Sequence, residues 1–476
     1  MYKQLLLISF TILTLSSCTS DEAYFKDALC IENITTIDAK NGLLENQTLI
    51  IKNGKIHKIA HTSQLNLSQK NKIIDGNGKY LIPGLWDTHV HFAFIKELAP
   101  NMLDLFLAYG ITGVRDTGGQ IDFVKQWKDK SLANPTSTPR VMIAGPLLDG
   151  MPNVYNGSDP WHPHLSTGLS SVENVEKQVN MLDSMDVDFL KAYEMLTPEQ
   201  FSKITELAKK KGLKVTGHVP LSMDVISASN AGLNSMEHLR NLEMSCASNA
   251  EELLKKRRQL LAAGKNDTGA DLRSRIHKSQ RISAIDNYDD NKAKEVLQVL
   301  AKNETWQIPT LALYVSTRLK ENFKFLPSSI KKDWEKGLEA INSKKPLLAD
   351  KKYPNWMLKM VGEIHKNKIE IMAGTDTPIR YLTPGLSLHE ELSLLVKSGL
   401  SPLEAIKTAT LNPAKYFNLD SELGLIGENM LADLVILDAN PLEDINNTKR
   451  INAVFKQGNY FNRNKLDAIL KNVSTK

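Results

Sequence analysis

From Ala28 to Lys79 apolar and polar positions alternate in short runs separated by turn pairs: ALCIENITTIDA, then Asn-Gly, then TLIIKNGKIHKIA, then IIDGNGKYLI. Asn-Gly between apolar runs is a strong local signal for a β-hairpin. Text of the same kind returns near the C-terminus in ADLVILDANP and INAVFKQGNYF. Two β-rich pieces bracketing the middle of the chain predict one small β-sandwich domain made from both ends, residues 24–80 and 420–462.

Between them, over residues 81–419, short apolar runs alternate with amphipathic stretches such as PEQFSKITELAKKKG and SLHEELSLLVKSG, whose apolar residues recur every three or four positions. The strand candidates are LIPGLWDTHVH, GITGVRDTG, RVMIAG, VDFLKAYE, LKVTGHV, SMEH, QIPTLALY and EIMAGTD. Eight strands alternating with helices predict an α/β fold, a (β/α)8 TIM barrel, with reactive residues at the C-terminal strand ends. Residues 245–303 break the rhythm with a long, charged, helical pattern, EELLKKRRQLLAAG among it. An insertion after a barrel strand lies on the active-site side, so a lid is expected there. The basic run Lys255, Lys256, Arg257 and Arg258 within it reads as a solvated helical face.

Composition narrows the partners. The 476 residues carry 59 basic and 54 acidic side chains, a net charge of +5 with no basic tail, so nucleic acid is not an expected ligand. The three cysteines, Cys18, Cys30 and Cys246, are too scattered for a disulfide framework. Cys30 and Cys246 read as buried thiols. Cys18 follows Lys3, the apolar run LLLISFTILTL and the small residues Ser16 and Ser17. That order is a secretory signal, and L-S-S-C resembles the bacterial lipobox. Residues 1–18 are therefore expected to be a lipoprotein signal peptide whose lipidated Cys18 anchors the chain to a membrane. The run is much shorter than the ~20 residues a spanning helix requires. The expected location is the cell envelope of a Gram-negative bacterium, at the outer membrane. Asp21 and Glu22 resemble signals that export lipoproteins to the surface.

The chemistry concentrates at strand ends. His89 and His91 close the first strand in WDTHVHF, and alternation points both to one side. His218 ends the fifth strand in TGHV, His238 the sixth in MEH and Asp376 the eighth in MAGTD. Each is polar on an apolar strand, and five separate buried partners would be needed if no metal were shared. Lys191 lies in the apolar fourth strand VDFLKAYE, where an ammonium beside dications would be repelled. A carbamate formed with carbon dioxide converts it into an anionic bridging ligand. Tyr193, two residues on, faces the same way as Lys191 and is within reach of a substrate carbonyl. Arg240 and Arg380 follow metal-ligand candidates and are expected to grip a substrate carboxylate.

The motifs LIPGLWDTHVHF, GVRDTGG, DFLKAYE, GHV, MEH, AGTD and GLIGENMLADLVILDANPL together resemble the amidohydrolase superfamily, in its imidazolonepropionase-like and prolidase-like branch. The similarity runs from about Ala28 to Phe461. It implies two divalent metal ions, zinc by default, with His89, His91 and Asp376 on one, His218 and His238 on the other, and carboxylated Lys191 bridging them. The ions would acidify a bridging water, and Asp376 would serve as base and then protonate the leaving nitrogen. The deaminases of the superfamily carry a glutamate where this chain has Leu221, which argues against deamination. The expected reaction is hydrolysis of an amide bond in a small substrate such as a dipeptide or N-acyl amino acid. Ester, lactone or phosphotriester hydrolysis on the same site, or ligand binding without activity, stays open, as does the oligomeric state.

Overall fold

The computed structural model describes residues 23–343 and 349–476. Cys18 and the rest of the expected signal peptide lie outside the described residues. No described helix is long and apolar enough to cross a membrane.

The two chain ends meet in one eight-stranded sheet. The N-terminal strands Leu29–Asp38, Gly42–Lys52, Lys55–His61, Lys72–Asp75 and Tyr80–Pro83 join the C-terminal strands Leu434–Leu437, Ile451–Lys456 and Asn459–Asn462. Tyr80–Pro83 is the seam, parallel to Leu29–Asp38 on one side and antiparallel to Leu434–Leu437 on the other. Ile31, Ile34, Leu49, Leu81, Leu434, Ile436 and Phe455 cluster as a buried core, so both ends contribute to one apolar layer. Removing that apolar surface from water is the main force joining segments this far apart in sequence.

The middle of the chain is built from parallel strands. Leu85–Val90, Ile111–Asp116 and Arg140–Ile143 form one sheet. Leu147–Gly150, Phe189–Ala192, Lys214–Gly217, Ser235–Glu237 and Trp306–Ile308 lie in another, with Ser166–Leu169 at its edge. Backbone bonds link the two sheets on both sides. Asp188 donates to the Ile143 carbonyl at 2.9 Å. Residues 370–376 run between Trp306–Ile308 and Leu85–Val90, through Gln307 N to Glu370 O at 2.9 Å and Thr88 N to Ala373 O at 3.0 Å. Gly374 is required there, because a Cβ would lie 2.8 Å from both the His89 Cβ and Ile308 Cγ2.

The helices follow local signals. Pro198–Lys211 starts at a capping box of Thr197 and Gln200, buries Phe201, Ile204, Leu207 and Ala208, and stops at Gly212, whose φ of 71° an L side chain rarely adopts. Four strand expectations need correction. LIPGLWDTHVH is divided, with Tyr80–Pro83 in the eight-stranded sheet and Leu85–Val90 in the three-stranded one. EIMAGTD is extended but not a regular strand, with a single isolated bridge from Ile371 to Gln307. QIPTLALY is a strand only over Trp306–Ile308; Thr310 turns left-handed at φ 48° and Leu311–Val315 is helical. RVMIAG stops at Ile143, and a second short strand, Leu147–Gly150, resumes after it. The insertion is helical, as expected, with Ala250–Ala263, Gly269–Asp286 and Asp290–Lys302 its longer helices. Its basic run is only partly solvated. Lys255 and Lys256 are exposed, but Arg257 is buried and donates to Gln280 at 2.7 Å. Cys30 and Cys246 are buried free thiols.

Candidate active site

The ends of the parallel strands converge on a cavity of about 760 Å³ lined by His89, His91, Lys191, His218, His238 and Asp376. Ligand atoms of His89, His91 and Asp376 all lie within 4.8 Å of one another. Asp376 Oδ1 is 3.1 Å from the Nε2 atoms of both His89 and His91, and Oδ2 is 3.8 Å from Nε2 of His238. The rings of His238 lie 4.6 Å from His89 and 4.8 Å from His218, centroid to centroid. His238 follows the strand Ser235–Glu237 and Asp376 closes the extended run 370–376, with left-handed φ of 57° and 71°. Such backbone costs about 1–3 kcal/mol per residue and persists where the surroundings fix it, often at functional sites.

The far nitrogen of every histidine is committed. Nδ1 of His89 faces Glu237 Oε2 at 2.5 Å, and Nδ1 of His91 faces the Gly118 carbonyl at 3.1 Å. Nδ1 of His218 faces Glu194 Oε1 at 2.6 Å. Nδ1 of His238 faces Thr310 Oγ1 at 2.6 Å, and that hydroxyl donates onward to the Pro309 carbonyl. Each partner must accept, so each Nδ1 carries a proton, and in the neutral ring that a metal ligand requires each Nε2 turns a lone pair toward the cavity. Lone pairs of His89 and His91 then face a carboxylate oxygen with no hydrogen between them, and Asp376 Oδ1 is buried without a hydrogen-bond donor. A divalent cation held between them satisfies that arrangement. The outer bonds from histidine to carboxylate or carbonyl are those that orient metal ligands. The residues therefore fit a divalent metal of nitrogen and oxygen preference.

Lys191 is 1% exposed, and its Nζ has no hydrogen-bond partner. Glu237 Oε1, the nearest counter-charge, is 3.9 Å away and already accepts from Arg115 at 2.7 Å and from Thr216. Burial pushes the Lys191 ammonium down to about 8, which keeps a neutral, nucleophilic fraction near neutral pH.

Glu237 and Glu194 were not singled out from sequence, although each adjoins a residue that was. Glu194 is fully buried and accepts from His218, from Arg273 Nε at 3.0 Å and from His277 Nε2 at 2.6 Å. Burial opposes its ionisation, but Arg273, His277 and Arg240 outweigh that and hold the carboxyl well below the usual carboxylate range. Arg273 and His277 come from the insertion, whose helix Gly269–Asp286 therefore reaches the site.

Tyr193 lines the cavity with its ring 4.3 Å from that of His218. Arg240 is buried, donates from Nη2 to the Tyr314 hydroxyl at 2.7 Å and holds Nε 3.5 Å from Glu194. Arg380 lines the same cavity from its exposed rim. Arg115 is structural, as its burial against Glu237 indicates, and His162 pairs with Asp159 at 2.9 Å.

Residues 80–460 match the amidohydrolase family. The chain belongs to that family. As an amidohydrolase it is a metal-dependent hydrolase acting on carbon–nitrogen bonds. Ochratoxinase of Aspergillus niger is 24% identical over 441 residues, covering 80% of this chain and 75% of the relative. Dihydroorotase of Clostridioides difficile is 25% identical over 429 residues, covering 87% of this amidohydrolase and 91% of the relative. Among solved structures, a Xaa-Pro dipeptidase with bound methionine shares the fold at TM-score 0.65, with 18% identity, 91% of this chain and all of the other covered (100%).

Proposed function

We propose that this amidohydrolase cleaves an amide bond in a small substrate whose leaving group carries a carboxylate, such as a dipeptide or an N-acyl amino acid. The observation that carries the reading is the set of histidine lone pairs facing a donor-less Asp376, with Lys191 unpartnered beside them. His89, His91 and Asp376 would hold one ion and His218 and His238 the other, with carboxylated Lys191 between them and zinc the natural occupant. Metal bound in such a site acidifies water and polarises a carbonyl.

The chain supplies the rest. Asp376 takes a proton from the attacking water and returns it to the leaving nitrogen. Burial holds the Tyr193 hydroxyl well above its ordinary range, so it stays protonated and donates to the substrate carbonyl oxygen. Arg240, with Arg380 at the rim, receives the leaving-group carboxylate and orients the amide. The solved dipeptidase that shares the fold favours this substrate class over esters and lactones.

The parallel strand segments, with the extended run 370–376 in the eighth place, read as a (β/α)8 barrel over residues 81–419. The mixed sheet reads as part of a sandwich domain drawn from residues 24–80 and 420–462, and Cys18 as a lipid anchor at the cell envelope. The functional test is a panel of dipeptides, their C-terminal amides, and lactones, assayed on zinc-loaded protein. Dipeptides cleaved well above both other groups support the reading. Equal rates on dipeptides and their amides rule out carboxylate capture, and activity confined to lactones overturns the substrate class.

A further inference from the structure

One wall of the cavity comes from the helix Gly269–Asp286, and its charge exceeds what the reaction described above uses. Arg273, Ser274, His277, Lys278 and Arg281 face the cavity, at the spacing that puts residues on one side of a helix. Arg273 and His277 grip Glu194. Arg281 donates from Nη2 to His277 Nδ1 at 3.1 Å, holds Nε 3.2 Å from Glu243 and lies 4.3 Å from the centre of the Tyr353 ring. Arg240 approaches Glu194 from the strand side, and its Nε is buried with no hydrogen-bond acceptor. Lys278 on the helix and Arg380 at the rim are exposed and make no ion pair among the described residues.

The charges on these walls do not balance. Apart from the metal-site residues, the lining cations are Arg240, Arg273, Lys278, Arg281 and Arg380. Against them stand Asp271 in the lining and, behind it, Glu194 and Glu243. Five against three leaves an excess of two positive charges. A single leaving-group carboxylate matches only one of them.

We propose that the substrate carries two carboxylates, and that the helix Gly269–Asp286 selects the second. The substrate class is then an amide of an acidic amino acid, a dipeptide ending in glutamate or aspartate or an N-acyl derivative of either. Arg240 takes the α-carboxylate, while Arg281 and Lys278 take the one on the side chain. Arg281 suits this role because a guanidinium held by Glu243, His277 and the Tyr353 face is already oriented, and its planar fork matches a carboxylate. A neutral side chain there leaves the excess charge unmatched in a partly enclosed pocket. The proposal rests on the amide-hydrolase reading for the identity of the first carboxylate, but the wall can be tested without turnover.

The test is calorimetric titration of the whole protein with N-ethyl-L-glutamate and with N-ethyl-L-glutamine, which have no amide at the α-nitrogen to cleave and differ by one charge at nearly equal shape. The glutamate derivative is expected to bind about ten- to a hundredfold tighter, the range for one charge-assisted hydrogen-bonded pair. That ratio should shrink at least several-fold in Lys278→Gln and again in Arg281→Gln. Lys278→Gln changes an exposed side chain, so its fold is secure. Equal affinities for the two ligands overturn the proposal, as does a ratio that neither substitution changes. Inorganic phosphate displacing the glutamate derivative at lower concentration than glutarate does also overturns it, in favour of a phosphoryl ligand. If dipeptides are cleaved without preference for acidic ends, selection by the helix fails and amide hydrolysis stands. If the binding preference holds and no dipeptide is cleaved, the amide reading fails and the dianion site stands.

Discussion

Glu194→Gln isolates the link between the insertion and the metal site. The wild-type carboxylate is fully buried and accepts from His218 and Arg273 on Oε1 and from His277 on Oε2. Glutamine keeps the shape but turns one acceptor into a donor. With its oxygen toward His218 and Arg273, its NH2 meets the Nε2–H of His277. Moving that proton to Nδ1 sets it against the Nη2 of Arg281, which now donates there at 3.1 Å. One donor–donor clash remains in either state, and two guanidinium groups lose a shared counter-charge. Breaking a buried ionic network by removing one partner costs about 3–5 kcal/mol. Mutation of an outer partner of a metal-ligating histidine, here from carboxylate to neutral amide, typically lowers metal affinity about 10–100-fold. Zinc affinity is measured by competition with a chromophoric chelator, and stability by denaturant titration of the chelated protein. We expect both to fall. Zinc affinity within twofold of wild type, with an unchanged denaturation midpoint, would refute the coupling.

Two further outcomes follow from other parts of the molecule. Burial holds the carboxyl of Glu391 protonated up to about 8, with Oε2 accepting from Ala312 N at 2.6 Å and Oε1 without a partner. An unfolded glutamate titrates near ~4.3, so across that window the folded chain keeps a proton the unfolded chain has released, and stability falls as pH rises from about 4 to about 8. Glu391→Gln should flatten part of that decline in denaturant titrations at pH 5 to 8, and an identical slope would count against a neutral buried acid. Mass spectrometry of protein purified from envelopes should find Cys18 as a lipidated N-terminus, and an intact Met1 or an unmodified Cys18 would contradict the anchor.

The residues pointing into the cavity were legible because strands alternate and end abruptly. His89, His91, His218, His238 and Asp376 are polar positions closing apolar runs, and the structure brings all of them to one cavity with Lys191. What supports them was harder to read. Glu237 stands inside the MEH motif and Glu194 directly after Tyr193, yet a lone carboxylate in a strand does not announce its partners. Arg273 and His277 reach Glu194 from a helix about eighty residues later in the chain, and their spacing there is equally that of a solvated surface. Arg257 was misread for the same reason, since helical periodicity does not tell which charged face turns inward. The seventh strand was overextended because LALY has strand composition, while the left-handed turn at Thr310 that makes it a helix depends on tertiary contacts such as the bond from His238. The joined sheet was foreseeable from repeated β text at both ends, whereas the parallel seam at Tyr80–Pro83 is a long-range pairing that local pattern does not encode.

The account turns on a two-ion centre bridged by a modified Lys191, and counting metal per chain tests it most directly. Elemental analysis of zinc-loaded wild-type protein after removal of free metal is expected to give two ions per chain, because the ligand set exceeds what one tetrahedral ion takes. Lys191→Ala should lose at least one of them, and a short carboxylic acid in the buffer should restore part of that loss. One ion per chain in wild type and Lys191→Ala alike would contradict the bridging role and the chemistry built on it.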